Sequence, residues 1–144
     1  MEVIIIGGGP SGIMSAIEIK KNNPTYKVTI LEKDSRSIGS RIKVSGNGRC
    51  NLGNINIHEN KYNHPSFVKD IISLKDSLFT YLDEGGLGYF NDEEGRIYPL
   101  SESSISVIHV LKKLLNKYCV NVELDANVVD IEKVNNKYRV LCEK

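Results

Sequence analysis

The residues best placed to do chemistry are a glycine turn and an acid that follows it. Gly7-Gly8-Gly9-Pro10-Ser11-Gly12 has the spacing G-x-G-x-x-G. In that spacing the first glycine turns the chain sharply out of a strand. The second lets the backbone come up against a pyrophosphate, and the third lets a helix pack closely on the strand. The amides of Ser11 and Gly12 then sit at a helix start, where unpaired N–H groups and the helix dipole favour a phosphate. Glu32 follows twenty residues after Gly12, at the end of the next apolar run. A carboxylate there accepts hydrogen bonds from the hydroxyls of an adenosine ribose and repels a 2′-phosphate. The pattern reads as a dinucleotide contact, with FAD or NAD favoured over NADP. Pro10 inside the turn and Lys33 directly after the acid complete the cofactor-side set. The plain alternative is a glycine turn that only joins a strand to a helix, because the string alone is weak evidence.

The elements that must position these residues supply the missing context. Val3 to Ile6 is a β-branched run ending at three glycines, as expected of a buried parallel strand entering a tight turn. Ser11 to Asn22 reads as a helix, with Ile13, Ala16, Ile17 and, less regularly, Ile19 near helical spacing and Asn22-Asn23-Pro24 as its stop. Lys27 to Leu31 is a second strand, and such a β-α-β unit crosses over right-handed to give parallel strands. Lys33 to Asn63 is rich in Gly, Ser, Asn and Arg and is expected to be a long irregular segment. Pro65 to about Glu84 suits one broken helix or two short ones, ended by Gly85-Gly86. Leu87 to Phe90 and Arg96 to Tyr98 read as short strands flanking a polar turn. Ser101 is the expected N-cap of a helix to Tyr118, with Ser104, Val107, Ile108, Leu111, Leu114, Leu115 and Tyr118 on one face and His109 off it. Val120 to Leu124 resembles a third parallel strand, and Val128 to Val134 with Lys137 to Cys142 a hairpin turning at Asn135-Asn136.

A second glycine segment, Ser45-Gly46-Asn47-Gly48-Arg49-Cys50-Asn51, lies in the irregular stretch. Its glycines would let backbone amides crowd a ligand, Arg49 would complement phosphate charge, and the asparagines would bond polar ring edges. Gly-Asn segments are also ordinary turns, so the residues alone leave both readings open. The glycine turn, the run Gly39 to Asn51 and Gly95-Arg96-Ile97-Tyr98-Pro99-Leu100-Ser101, in this order, resemble the BaiN-like, aminoacetone-oxidase-like family of FAD-binding flavoproteins. The resemblance extends over essentially the whole chain.

It implies an α/β fold: a Rossmann-like FAD-binding domain with a parallel sheet, helices and a β-hairpin or meander. Gly7, Gly9, Ser11 and Gly12 are implied to hold the FAD pyrophosphate, Glu32 the adenosine ribose, and Val128 the adenine through its backbone. Arg41 with Ser45, Gly46, Asn47, Gly48, Arg49, Cys50 and Asn51 would serve the ribityl and flavin end. Gly95 to Ser101 would be a structural turn on the flavin side, leaving Arg96 a weak site candidate. Arg41 stands where a lysine is usual, which keeps the charge but changes the hydrogen-bond geometry.

Family members are much longer, so the resemblance further implies an N-terminal FAD-binding part, incomplete relative to the family and lacking the later substrate domain. Its expected plan is a dinucleotide unit over 1–34, a flavin-side loop over 35–64, a mostly helical insertion over 65–118 and return strands over 119–144. By itself this chain is not expected to be catalytically complete, and NAD(P)H is a candidate reductant for the full-length protein. A non-catalytic nucleotide-binding or interaction module and an NAD-dependent dehydrogenase domain remain as alternatives. The latter leaves Ser45 to Asn51 unexplained.

Composition narrows the partners. The chain of 144 residues is 40% hydrophobic and 26% charged, an ordinary globular balance with room for one domain. Nineteen Lys and Arg against 18 Asp and Glu give a formal charge of +1, which supplies no broad field for nucleic acid or an anionic membrane. No apolar run approaches the roughly 20 residues of a membrane span, and a cytoplasmic setting is expected. Substrate and oligomeric state have no signature here.

Cys50, Cys119 and Cys142 have no metal or CxxC spacing and read as free thiols, the last two expected to be buried as small hydrophobes. In a flavoprotein the isoalloxazine carries the redox chemistry, so no protein nucleophile is required. Cys50 beside Arg49 is a candidate redox thiol, but with no second cysteine nearby its expected role is packing or backbone positioning. His58 and His64 fit neither a triad nor a metal set, and Asp92, Glu93 and Glu94 read as a solvated turn.

Overall fold

The computed structural model describes residues 1–143. The chain forms two compact units, one from Met1–Arg41 together with the chain from Lys112 onward, the other Ile42–Leu111.

In the first unit β1 (Glu2–Ile6) pairs in parallel with β2 (Lys27–Leu31), with Val3 opposite Val28 and Ile6 opposite Leu31. On its other flank β2 pairs in parallel with β6 (Asn121–Glu123), giving the order β1-β2-β6. The connection from β1 to β2 is α1 (Pro10–Asn22), which buries Ile13, Ala16 and Ile17 completely. Paired on both flanks, β2 buries Val28 to Leu31 in succession. β1 departs from the expectation of a fully buried strand. Its side chains alternate in exposure, with Ile5 against the start of α1 and the opposite face leaving Ile4 at 40% and Ile6 at 49%.

Helix α5 (Ser104–Lys117) carries the expected apolar face, with Ser104, Val107, Ile108, Leu111, Leu114 and Leu115 buried and His109 exposed. It starts two residues later than the Ser101 cap would place it. Ser103 Oγ accepts the Ile105 amide at 3.3 Å, the geometry of an N-cap. Ser101 Oγ instead bonds Ser106 Oγ at 2.7 Å.

The helix ends with Cys119 in the left-handed region at φ +53. The Cys119 amide donates to the Asn116 carbonyl and the Val120 amide to the Leu115 carbonyl, a Schellman closure in which glycine is the usual residue. Cys119 is therefore turned outward and exposed rather than buried. Cys142 is exposed too, because it lies in a two-stranded hairpin with little packed on its faces. That hairpin joins β7 (Asn127–Val134) to β8 (Lys137–Glu143). Asn135 and Asn136 both have positive φ, as a two-residue primed turn requires.

In the second unit the irregular stretch holds more structure than its composition suggests. After α2 (Ser40–Val44) come a 3-10 turn at Ser45–Gly48, β3 (Gly53–Asn54) and a second 3-10 turn at Glu59–Lys61. Two helices follow, α3 (Pro65–Ser73) and α4 (Lys75–Gly85), and Gly86 at φ +85 closes the second. Leu87 belongs to that closure, its amide bonding the Leu82 carbonyl, so β4 (Tyr89–Asn91) begins later than expected. β4 and β3 both pair antiparallel with β5 (Arg96–Pro99), in the order β3-β5-β4.

Among the described residues no helix is long and apolar enough to cross a membrane, and no three His, Cys, Asp or Glu side chains cluster as a metal site would need. Leu114 is fully buried, so Leu114→Ala is expected to cost about 2–5 kcal/mol, read as a lower urea midpoint at unchanged m-value.

Candidate dinucleotide site

The glycine turn is built by packing and hydrogen bonding within the first unit. Gly7 has φ +98, which lets the chain leave β1, and its amide donates to the Leu31 carbonyl at 2.8 Å. A Cβ on Gly12 would fall on the Gly7 carbonyl oxygen, and 3.3 Å from Ile5 Cγ2. The third glycine is thus required by how closely α1 approaches the end of β1. Gly9 is the N-cap of α1, with ordinary backbone angles, no capping side chain, and nothing within 4 Å of where a Cβ would project.

The first helical amide to find a partner is that of Ile13, donating to the Gly9 carbonyl at 3.0 Å. Pro10 has no N–H, so Ser11 and Gly12 present the two amides that the helix itself leaves unbonded. An open glycine, two amides without helical partners and the positive end of a 13-residue helix form a donor set suited to a pyrophosphate. The residues present fit that part of FAD.

Glu32 is 8% exposed and its carboxylate is already engaged. Oε2 accepts the Gly8 amide at 2.7 Å and Oε1 accepts the Asp34 amide at 2.9 Å. Each oxygen keeps a further lone pair for a hydroxyl donor. Gly8 was not singled out by the sequence pattern, yet it joins the acid to the turn. The signal was its position between two glycines with assigned tasks.

The Gly8 carbonyl accepts the Gly39 amide at 2.8 Å, which ties the chain two residues before Arg41 to the turn. The Ala126 amide donates to the Glu32 carbonyl at 3.0 Å, which ties in the chain two residues before Val128. The fold therefore gathers the glycine turn, Glu32 and the approach to Val128 at one end of the parallel sheet. Lys33 and Arg41 are exposed there.

Ser45 to Asn51 belong to the second unit. Gly46, Asn47, Gly48 and Cys50 all have positive φ, and the turn is closed by Arg49 N–H to the Gly46 carbonyl and Cys50 N–H to the Ser45 carbonyl, both 3.1 Å. Ser45 Oγ donates to the Ile42 carbonyl at 2.8 Å, and Asn51 Oδ1 accepts the Gly53 amide at 2.9 Å. Cys50 is 7% exposed, which agrees with a positioning role.

Arg96 has protein partners of its own: Asp92 Oδ2 at 2.7 Å and Glu94 Oε1 at 3.0 Å. Asp92 also accepts the amides of Glu94 and Arg96, so the acidic turn is a structural hairpin end. Burial raises the Asp92 carboxyl, and the Arg96 guanidinium and amide outweigh it to hold the pKa below the ordinary 3.8.

Three expectations follow. Gly12→Ala must displace backbone and is expected to cost about 2–4 kcal/mol in thermal or urea unfolding. Gly9→Ala leaves the fold intact within about 0.5 kcal/mol but weakens FAD about tenfold, separable by circular dichroism and flavin titration. At Asp92 the native pKa lies below the unfolded one, so its stabilising contribution is complete above the unfolded value and disappears as pH falls through the native value. Unfolding midpoints of Asp92→Asn measured against pH should lack that part of the acid dependence.

The sequence profile of the HI0933-like protein Rossmann domain family matches residues 1–144. The chain is 35% identical over 121 residues to the 3-dehydro-bile acid delta(4,6)-reductase of Clostridium scindens, covering 82% of this chain and 29% of that protein. It is 28% identical over 143 residues to the ribosomal RNA dihydrouridine synthase of Haemophilus influenzae, covering 96% and 35%. The chain thus spans about a third of the length of these relatives. In fold it is similar to the 3-ketosteroid-delta4-(5alpha)-dehydrogenase of Rhodococcus jostii RHA1, with a TM-score of 0.66 at 13% identity over 98% of this chain and 44% of that one. With its parallel β-α-β sheet and glycine turn, this chain belongs to the HI0933-like protein Rossmann domain family and is an FAD-binding Rossmann domain.

Proposed function

We propose that the chain holds FAD through Gly7, Gly9, Pro10, Ser11 and Gly12 at the pyrophosphate and Glu32 at the adenosine ribose. Lys33 lies beside that ribose contact, and the Val128 backbone lies at the adenine. The observation that carries this reading is the start of α1, where the Ser11 and Gly12 amides have no helical partner and Gly9 opens onto free space. The remaining lone pairs of the Glu32 carboxylate support ribose recognition, and its charge disfavours a 2′-phosphate. Arg41 and Ser45 to Asn51 are assigned to the ribityl and flavin end on the family resemblance.

When bound, FAD supplies the redox chemistry. The chain's own residues bind and orient it, and none of them is needed as a nucleophile. The relatives named as a reductase and a dihydrouridine synthase support an oxidoreductase as the whole protein's activity, for which NAD(P)H is the proposed reductant.

Titration of the chain with FAD, followed by flavin fluorescence, should give saturable binding. AMP should compete, and adenosine 2′,5′-bisphosphate should compete about tenfold less well. No fluorescence change at any FAD concentration would remove the cofactor assignment from this chain, and equal competition would remove the role of Glu32.

A further inference from the structure

The motif Gly95 to Ser101 has no task in the binding scheme, and the way it engages Arg49 supplies one. The loop Ser45–Asn51 is costly to hold in shape. Asn47 at φ +54 and Cys50 at φ +60 are side-chain-bearing residues in a region that L-residues disfavour. Two backbone hydrogen bonds close the loop, and the Leu52 amide ties its end to the Ile97 carbonyl of β5 at 2.8 Å.

The side chain that finishes the job is Arg49. Its guanidinium lies 4.4 Å from the centre of the Tyr98 ring and 3.4 Å from Glu102 Oε1. Tyr98 is 4% exposed and lies opposite Phe90 in the β4–β5 ladder, so the ring is a fixed surface. A Cβ on Gly46 would lie 3.6 Å from Tyr98 Cε1. One ring therefore meets the loop at both ends, at Gly46 and at Arg49. Glu102 is delivered by a tight turn, its amide donating to the Pro99 carbonyl at 2.8 Å.

An arginine arranged in this way has its guanidinium over an aromatic ring and its charge opposed by a carboxylate. Both features suit holding a loop and oppose serving as a bare phosphate contact. We infer that Arg49 is a positioning residue, which fixes the backbone of Ser45–Asn51 by clamping it to Tyr98 and Glu102, and that Gly95–Ser101 exists to present that clamp. This deepens the FAD reading and rests on it for the loop's ligand, but the clamp itself is a property of the second unit.

The test is FAD titration of the full chain and five variants, with backbone amide NMR shifts of Gly46 and Cys50 as a second readout. Arg49→Lys keeps the charge and loses the planar guanidinium, Tyr98→Leu removes the ring, and Tyr98→Phe keeps it. Arg49→Lys and Tyr98→Leu should each weaken FAD about tenfold, Tyr98→Phe should stay within about twofold, and the double variant should be no weaker than either single one. The Gly46 and Cys50 amides should move alike in Arg49→Lys and Tyr98→Leu and stay in place in Tyr98→Phe.

Wild-type affinity in Arg49→Lys, with loss in Arg49→Gln and a shallower salt dependence, would show a direct phosphate contact and overturn the inference. If the wild-type chain binds no FAD, the cofactor reading fails separately and the amide shifts still decide the clamp. If Tyr98→Leu does not fold, the contrast between Arg49→Lys and Tyr98→Phe decides it.

Discussion

The start of α1 approaches the end of β1 so closely that Gly12 lies against the Gly7 carbonyl with no room for a side chain. That contact fixes where the helix N-terminus points. A helix displaced outward by one methyl group would carry the Ser11 and Gly12 amides with it, and donors placed for an anion lose effect quickly with distance and angle. The rest of the site is hung on the same turn. Gly7 is bonded to Leu31, Gly8 to both Glu32 and Gly39, and Glu32 through its carbonyl to Ala126. Few of these bonds involve side chains, which gives the site a rigid backbone frame with one buried carboxylate in it.

That carboxylate has two tasks. It accepts two backbone amides and so closes the turn, and each oxygen retains a further lone pair. Its burial makes the amide partners necessary, because a buried charge without hydrogen bonds is costly. The chain's near-neutral total charge is consistent with this design. A phosphate site made of local dipoles and oriented amides needs no basic surface.

The second unit solves a different problem. Its glycine loop is held by a short antiparallel sheet, with β5 contributing both a backbone acceptor at Ile97 and an aromatic platform at Tyr98. Charged residues around it are largely spent on one another. Arg96 is paired with Asp92 and Glu94, and Arg49 with Glu102. Surface pairs of this kind add little to global stability, yet each orients a turn.

The amino-acid sequence alone determined the glycine spacing, the acid after β2, the parallel β-α-β order, the α5 face and the Asn135-Asn136 hairpin. These depend on local periodicity and on residues with few conformational options. What only the tertiary structure decided depends on partners distant in the chain. β1 reads as a buried strand, but its exposure follows from what covers each face, with Ile5 against the start of α1 and Ile4 and Ile6 exposed on the opposite face. Cys119 reads as a small core residue, and the helix ending that turns it outward is set by the burial of Leu115 and Val120 on either side. Arg49 reads as a cation free for a phosphate, while its ring and carboxylate partners lie about fifty residues away. A sequence pattern records what a side chain can do, and packing settles which of those options has a partner within reach.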